Sequence, residues 1–290
     1  MTTFVQLVFS GLALGSVYTM VALGFVLIYK STEILNFAQG NLMLMGAYLA
    51  LTILTTLHVN LFFGIVLAVL MAAAMGAGIH FAVMRPMLGK PLFSVVMVTL
   101  GLSILLQALV QLVYGTVDRV YPVQVPNQVF TIAGARFSQL ELTIIATVAV
   151  LVIAFALFFR FSKLGLLMRA TAEDQEVAVM MGVSADVIFS VSWAIAAGMA
   201  TIGGVFMANL SQLNLGLGDI GLRAFPAVVV GGLESVPGAL VGGVIIGVAE
   251  SLGAGYINGS ARDVIAFTIL LLILLVRPFG LFGQRSIIRI

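Results

Sequence analysis

The side chains of this chain best suited to do chemistry are gathered between Arg160 and Asp186, in RFSKLGLLMRATAEDQEVAVMMGVSAD. Three basic and four acidic residues stand there between two long apolar runs, in a chain that is only 8% charged. The chemistry is not catalytic. Gly89-Lys90 is followed by Pro91, so no phosphate-cradling G-x-x-x-x-G-K-[ST] run is present, and no G-x-S-x-G elbow or zinc-ligand spacing occurs. Cysteine is absent, which removes disulfides and thiolate metal sites. His58 and His80 lie far apart with no acidic neighbour in sequence, so no metal site is expected.

What remains is electrostatic and mechanical. Thr171 followed by Asp174 resembles a helix capping box, and Glu173, Asp174 and Glu176 put negative charge in the first turn. Each such charge stabilises a helix start by about 0.3–1 kcal/mol when exposed. Val177, Met180 and Met181 form an apolar stripe, Gly182 is placed to stop the helix, and Ser184 or Asp186 can cap the next one. The expectation is an amphipathic helix of about three turns. A connector lying on the bilayer would usually be rich in Lys and Arg. This one is acidic, which favours a groove on a soluble partner.

A second polar cluster, Asn36, Gln39, Gly40 and Asn41, interrupts an apolar run. Amides and glycine at membrane depth are costly unless they line a cavity or pack inside protein. An interfacial stretch ahead of a helix starting near Leu42 and a broken, pathway-lining helix fit this pattern equally. Gln107 and Gln111, four apart on one face, suit hydrogen bonds to a neighbouring helix.

These residues must be held by membrane elements. The chain is 62% hydrophobic with a mean hydropathy of +1.22, whereas a soluble domain is about half apolar and a quarter charged. Spans of about 20 apolar residues fit a bilayer core, and short alternating segments of a membrane β-barrel are missing. The fold class is therefore all-α, a polytopic helical bundle. The spans read as Phe4–Tyr29, a second from about Leu42, Leu61–Met84, Leu92–Tyr114, Leu140–Phe159, Val187–Met207 and Asp263–Val276. Between the last two, Ala224–Leu233 is too short to cross and carries Pro226. A turn at Glu234–Gly238 then leads into Ala239–Leu252, the pattern of a half-helix that enters and returns. Eight or nine membrane elements result, some discontinuous, in a single domain over 1–290.

Gly11 and Gly15 form a G-x-x-x-G pair, a weak signal among 31 glycines. Glu250 is expected to reach the interface near a helix end. The positive-inside rule puts Lys30, Arg85/Lys90, Arg160/Lys163/Arg169 and the C-terminal arginines on the cytoplasmic side. The 160–186 loop is then cytoplasmic, and the 115–139 segment, with an alternating stretch over Val123–Thr131, is external. The net charge of +2 gives no reason to expect a nucleic-acid partner. The partner in contact with most of the chain is the lipid bilayer. A self-sufficient secondary transporter or channel would usually carry ionisable groups in mid-span, and the confident spans lack them.

Three stretches together, NFAQGNLMLMGAY, MRATAEDQEVAVMMGV and RAFPAVVVGGLESVPGALVGG, resemble the permease subunits of branched-chain amino acid ABC importers, above all the H-type subunits of Liv systems. The resemblance covers nearly the whole chain. It implies a multi-pass protein of the bacterial cytoplasmic (inner) membrane that binds no cofactor itself. It also implies a homologous second permease subunit, two cytoplasmic ATPase subunits using ATP and Mg, and an external binding protein that delivers substrate. Arg169, Glu173, Asp174 and Gly182 match the loop that engages the ATPase, joined by Thr171, Glu176 and Met181 from the helix reading. The Asn36-Phe37-Gly40 region and the Gly231-Gly232 region match the family's discontinuous membrane elements, and Asn36, Gln39, Gly40, Asn41, Phe225, Gly231 and Gly232 are the candidate residues of a translocation path. Pro226 and Glu234 depart from the small residues of the family pattern, and related permeases serve urea and short amides.

Overall fold

The long apolar runs of the sequence become helices because, without water, each backbone polar group must be satisfied within its own segment. The computed structural model describes residues 2–121, 128–132 and 135–283. In chain order these form α1 (Thr2–Thr32), α2 (Gln39–Leu57), α3 (Leu61–Ile79, running on through a π turn His80–Met84 and a 3-10 turn Arg85–Met87) and α4 (Leu92–Tyr114). A hairpin follows, β1 (Val129–Ile132) and β2 (Ala135–Ser138), antiparallel with Val129 opposite Ser138. Then come α5 (Gln139–Phe161), α6 (Lys163–Glu173), α7 (Gln175–Met180), α8 (Ala185–Leu210), a 3-10 turn Leu215–Asp219, α9 (Ile220–Gly231), α10 (Val236–Tyr256) and α11 (Ala261–Val276). Seven helices are long and apolar enough to cross a membrane: α1 to α5, α8 and α10. The hairpin is the one departure from all-α among the described residues. It takes up the last part of the expected extended stretch; residues 123–127, with Pro126, and Arg285 and Arg289 lie outside the described residues.

The helices share two ends. At the Lys30 end, the Lys30 ammonium lies 5.6 Å from the Phe159 ring of α5, and Leu281 N donates to Val230 O of α9 at 2.8 Å. At the hairpin end, Phe9 packs edge-on to Phe137 at 4.8 Å, and Ser10 donates to Glu141 Oε1 at 2.6 Å. Glu141 also closes a capping box with Ser138 that starts α5. Tyr121 is buried there and donates to Ala47 O at 2.5 Å; burial pushes its hydroxyl well above the usual tyrosine range, so it remains a donor.

Three helices, α1, α2 and α8, form the core. α8 is packed on all sides, with Trp193, Ala196, Ala197, Ala200 and Thr201 fully buried. α1 is buried from Val17 to Ile28 and lies along α10 at glycine-only distance. A Cβ built on Gly247 would stand 2.3 Å from Gly15 N, and one built on Gly11 would stand 2.6 Å from Val248 Cα. The G-x-x-x-G pair is thus a true close-approach face, matched by Gly243 and Gly247 of α10. By contrast, α3, α4 and α5 leave wide apolar flanks open, including Phe62, Leu70, Ile104, Leu112 and Val150.

Glycine at the α1–α10 contact is testable against an open control. Overpacking a tight core costs about 1–3 kcal/mol and more where backbone is struck. Gly247→Leu should lower the detergent-solubilised melting temperature by several degrees or abolish a monodisperse peak. Gly101→Leu, where a Cβ meets nothing within 4 Å, should leave both unchanged.

Candidate functional site

Between α1 and α2 the chain turns back at Glu33, whose φ of 55° is rare for a residue with a Cβ, and runs extended into the bundle. Asn36 and Gln39 are completely buried inside the protein, at a non-helical break between α1 and α2. Asn36 Oδ1 accepts from Ala38 N at 3.1 Å, its Nδ2 donates to Gln39 Oε1 at 3.3 Å, and Gln39 Nε2 donates to Ala196 O of α8 at 3.2 Å. Asn36 thus takes up one backbone N–H of the non-helical stretch, and the two amides together tie that stretch to α8. Gln39 lies against Gly24 of α1, where any Cβ would meet its amide at 2.0 Å.

A second broken element meets the first head-on. The 3-10 turn Leu215–Asp219 leads into α9, and Gly221 packs on Gly40 so closely that a Cβ on Gly221 would lie 2.4 Å from Gly40 Cα. The N-termini of α2 and α9 thus face one another inside the bundle. Asn41 donates to Ser103 Oγ at 2.7 Å, and its buried Oδ1 has no hydrogen-bond partner. Phe225 joins the cluster through Phe37, ring centroids 6.0 Å apart, and Phe25 at 6.1 Å. Asn36, Gln39, Gly40, Asn41 and Phe225 are thereby brought together. Gly231 and Gly232 are not: they end α9 at the Lys30 end, packed against Gly238 and Gly283. Below Asn36, Tyr29, Glu33, Leu88, Lys90, Gln175 and Phe189 line a cleft of about 420 Å³.

The charged loop forms two short helices where the sequence suggested one. Thr171 does not cap: it is buried in α6 and donates to Leu167 O at 2.9 Å. Asp174 is the junction, ending α6 in an extended conformation and accepting from Val177 N at 2.9 Å to start α7. The helix is six residues long rather than three turns. Met181 lies just beyond it, and Gly182, with φ of 87°, closes it by bonds from Gly182 N to Val179 O and from Val183 N to Ala178 O. That pattern is a Schellman stop, as the glycine suggested. Glu173 and Glu176 are exposed, and Met180 and Met181 are 82% and 81% exposed. Arg169 is engaged within the chain: its guanidinium bonds Phe159 O and Arg160 O, capping the last carbonyls of α5, and lies over the Phe159 ring.

With this geometry in hand, the comparisons are informative. A family model for the branched-chain amino acid transport system permease component matches residues 7–274. The chain belongs to this ABC permease family. It is 32% identical to the high-affinity branched-chain amino acid transport system permease protein LivH of Salmonella typhimurium, covering 98% of this chain and 97% of the relative. It is 30% identical to BraD of Pseudomonas aeruginosa over the same shares, and 26% identical to a probable LivH of Methanocaldococcus jannaschii over 93% and 89%. No solved structure gives a significant match. The chain is accordingly a multi-pass membrane protein and a non-catalytic transport component.

Sequence reading missed several groups. Glu250 does not reach the interface: it is completely buried and accepts from Tyr18 at 2.7 Å, joining α10 to α1. Ser184 stands at the start of α8 without a capping bond, and Asp186 reaches sideways instead, 3.0 Å from His80 and 3.1 Å from Arg85. His80 thus has an acidic neighbour in space. The side chains of Gln107 and Gln111 make no hydrogen bond among the described residues. Arg223 pairs with Asp263 at 2.9 Å, tying α9 to α11. The signal for Glu250 was its isolation: a lone carboxylate within an apolar helix needs a donor somewhere.

Moving the cap from Thr171 to Asp174 has a measurable consequence. An N-cap Asp replaced by Ala costs about 1 kcal/mol, about a fivefold rise in local opening. Asp174→Ala should speed amide exchange across Gln175–Met180 by that factor, and Thr171→Ser should not.

Proposed function

We propose that this chain is the membrane subunit through which a binding-protein-dependent ABC importer moves branched-chain or other hydrophobic amino acids inward. The reading rests on family membership and on one observation of the structure, the exposed tip of α7. Val177, Val179, Met180 and Met181 stand out from the Lys30 end beside Glu173 and Glu176, held by a cap at one side and a glycine stop at the other. Methionine pairs are adaptable apolar anchors. An acidic rim around an apolar tip fits a groove on a soluble partner better than an anionic bilayer surface. This chain carries no ATP-binding motif, so the force must come from such a partner.

In this reading the Lys30 end is cytoplasmic, and the hairpin end faces an external binding protein. α9 and α11 bring the membrane elements to nine. Two ATPase subunits, which bind ATP and Mg, dock on α7 of this chain and on the equivalent loop of a homologous second permease. The meeting of α2 and α9 at Gly40 and Gly221, with Asn41 and Phe225, is the part of the path that changes access. Helix N-termini facing one another there favour the carboxylate end of a zwitterion. Glu33 and Lys90, in the cleft below, provide one charge of each sign at the inner mouth. Gly231 and Gly232 act as the turn that returns α9 to α10.

Replacing both anchors tests the docking. Met180→Asp with Met181→Asp should reduce ATPase co-purification at least about tenfold, the range for losing central apolar anchors. Glu173→Lys with Glu176→Lys should weaken it less and make it salt-dependent. Unchanged co-purification in the methionine variant would sink the docking assignment. Substrate class is read separately, from ATP hydrolysis and uptake by the reconstituted complex with its binding protein. Stimulation by leucine is expected, and stimulation by urea or a short amide instead would replace the amino acid assignment.

A further inference from the structure

α7 is joined to α8 by a very short connection. Gly182 closes α7, Ser184 precedes α8, and Asp186 is already the second residue of α8. The Schellman bonds at Gly182 and Val183 leave little slack, so a tilt of α7 is delivered to the first turn of α8. Asp186 does not spend its carboxylate on the start of α8. Oδ1 lies 3.0 Å from His80 Nε2 and Oδ2 lies 3.1 Å from Arg85 Nε, both at the Lys30 end of α3. His80 is completely buried and stands edge-on to Phe189 of α8 at 6.1 Å. It also begins the π turn His80–Met84, an irregularity of the kind that re-aims side chains at functional positions.

Further along, the two helices cannot part easily. A Cβ on Gly76 of α3 would lie 2.5 Å from Trp193 O of α8, and Gly198 of α8 lies against Val69 of α3. On its other side α8 grips the broken element: Gly204 packs on Met43 O, Gly46 packs on Thr201, and Ala196 O holds Gln39. A continuous path of packed and hydrogen-bonded groups therefore runs from α7 through α8 to α3 on one side and to Gln39 on the other.

We infer that Asp186, clamped by His80 and Arg85, is a positioning residue that locks α3 to α8 so that a push on α7 moves both helices as one body and reaches the broken element at Gln39. The inference rests on the reading that α7 docks the ATPase. Without the clamp, the first turns of α8 would yield locally and the stroke would be lost before reaching the amide cluster. Asp186 touches no substrate in this scheme. Its contribution is to the amount of transport obtained per ATP hydrolysed.

The test uses the full importer in proteoliposomes with its binding protein. Asp186→Asn should leave assembly and ATP hydrolysis within about twofold of the parent while uptake per ATP falls about three- to thirtyfold, the range expected for residues on a coupling route. Asp186→Glu should restore most of it. Unchanged uptake per ATP in Asp186→Asn would overturn the clamp. So would a parallel fall of melting temperature, hydrolysis and uptake, which marks a merely structural contact.

A second measurement leaves the clamp intact. The chain has no cysteine, so spin labels at Ala82→Cys and Val187→Cys, both on exposed positions at this end, report the α3–α8 separation. That separation should stay constant between nucleotide-free and ATP-trapped complexes, and a change would overturn the one-body movement. Failure of the docking reading would appear elsewhere, as ATPase binding indifferent to Met180 and Met181.

Discussion

An extended backbone at membrane depth is tolerated only where protein supplies the hydrogen bonds that water cannot, and this requirement shapes the centre of the molecule. The stretch from Glu33 to Ala38 leaves the helical pattern between α1 and α2; Asn36 accepts from Ala38 N, and Gln39 links Asn36 to α8. For that to work, Gln39 must reach Ala196 O, which requires α8 to run close by, and Gly24 must leave room for the amide. The opposing element must begin at Gly221, because only two glycines can stand where Gly40 and Gly221 meet. One interrupted helix thus dictates glycine on two neighbours, Gly24 of α1 and Gly221 of α9.

The same economy of side-chain volume governs the rest of the core. No hydrophobic force draws helices together in lipid, so close contact through small residues has to do so. The α1–α10 seam at Gly11, Gly15, Gly243 and Gly247 and the α3–α8 seam at Gly76 and Ala197 both follow this rule. Polar ties are added where a carboxylate is enclosed, as with Glu250 and Tyr18. The apolar flanks of α3, α4 and α5 are left exposed, as suits contact with lipid.

Rigid seams give the loop at the Lys30 end its meaning. Asp174 joins α6 to α7 and Gly182 joins α7 to α8, so α7 is a six-residue segment held by tight junctions between two longer helices. Arg169 holds α6 to the end of α5 and is therefore part of the mount rather than of the tip. A partner that grips Met180 and Met181 would act on a body that includes α8, the helix on which Gln39 depends.

How much of this was legible in the chain depends on how local the physics is. That the chain forms several long apolar helices and stops one at Gly182 was readable, because hydropathy and left-handed glycine leave marks within a few residues; the expected last span at Asp263–Val276 is only the 16-residue α11, outside the seven long helices, which include α10 instead. Thr171 was misassigned because a T-x-x-D pattern and a single capping Asp look alike until the backbone shows which residue leaves the helix. Arg169 was taken as partner-facing because nothing local reveals that its reach ends on the carbonyls of α5. The burial of Glu250 and the pairing of Asp186 with His80, 106 positions away, were invisible for a stricter reason. Composition and periodicity determined that this protein crosses a membrane many times and displays one acidic, methionine-tipped loop. Only the packing of α3 on α8 and of α1 on α10 decided which polar groups meet, because those meetings are set by glycine contacts between helices distant in sequence.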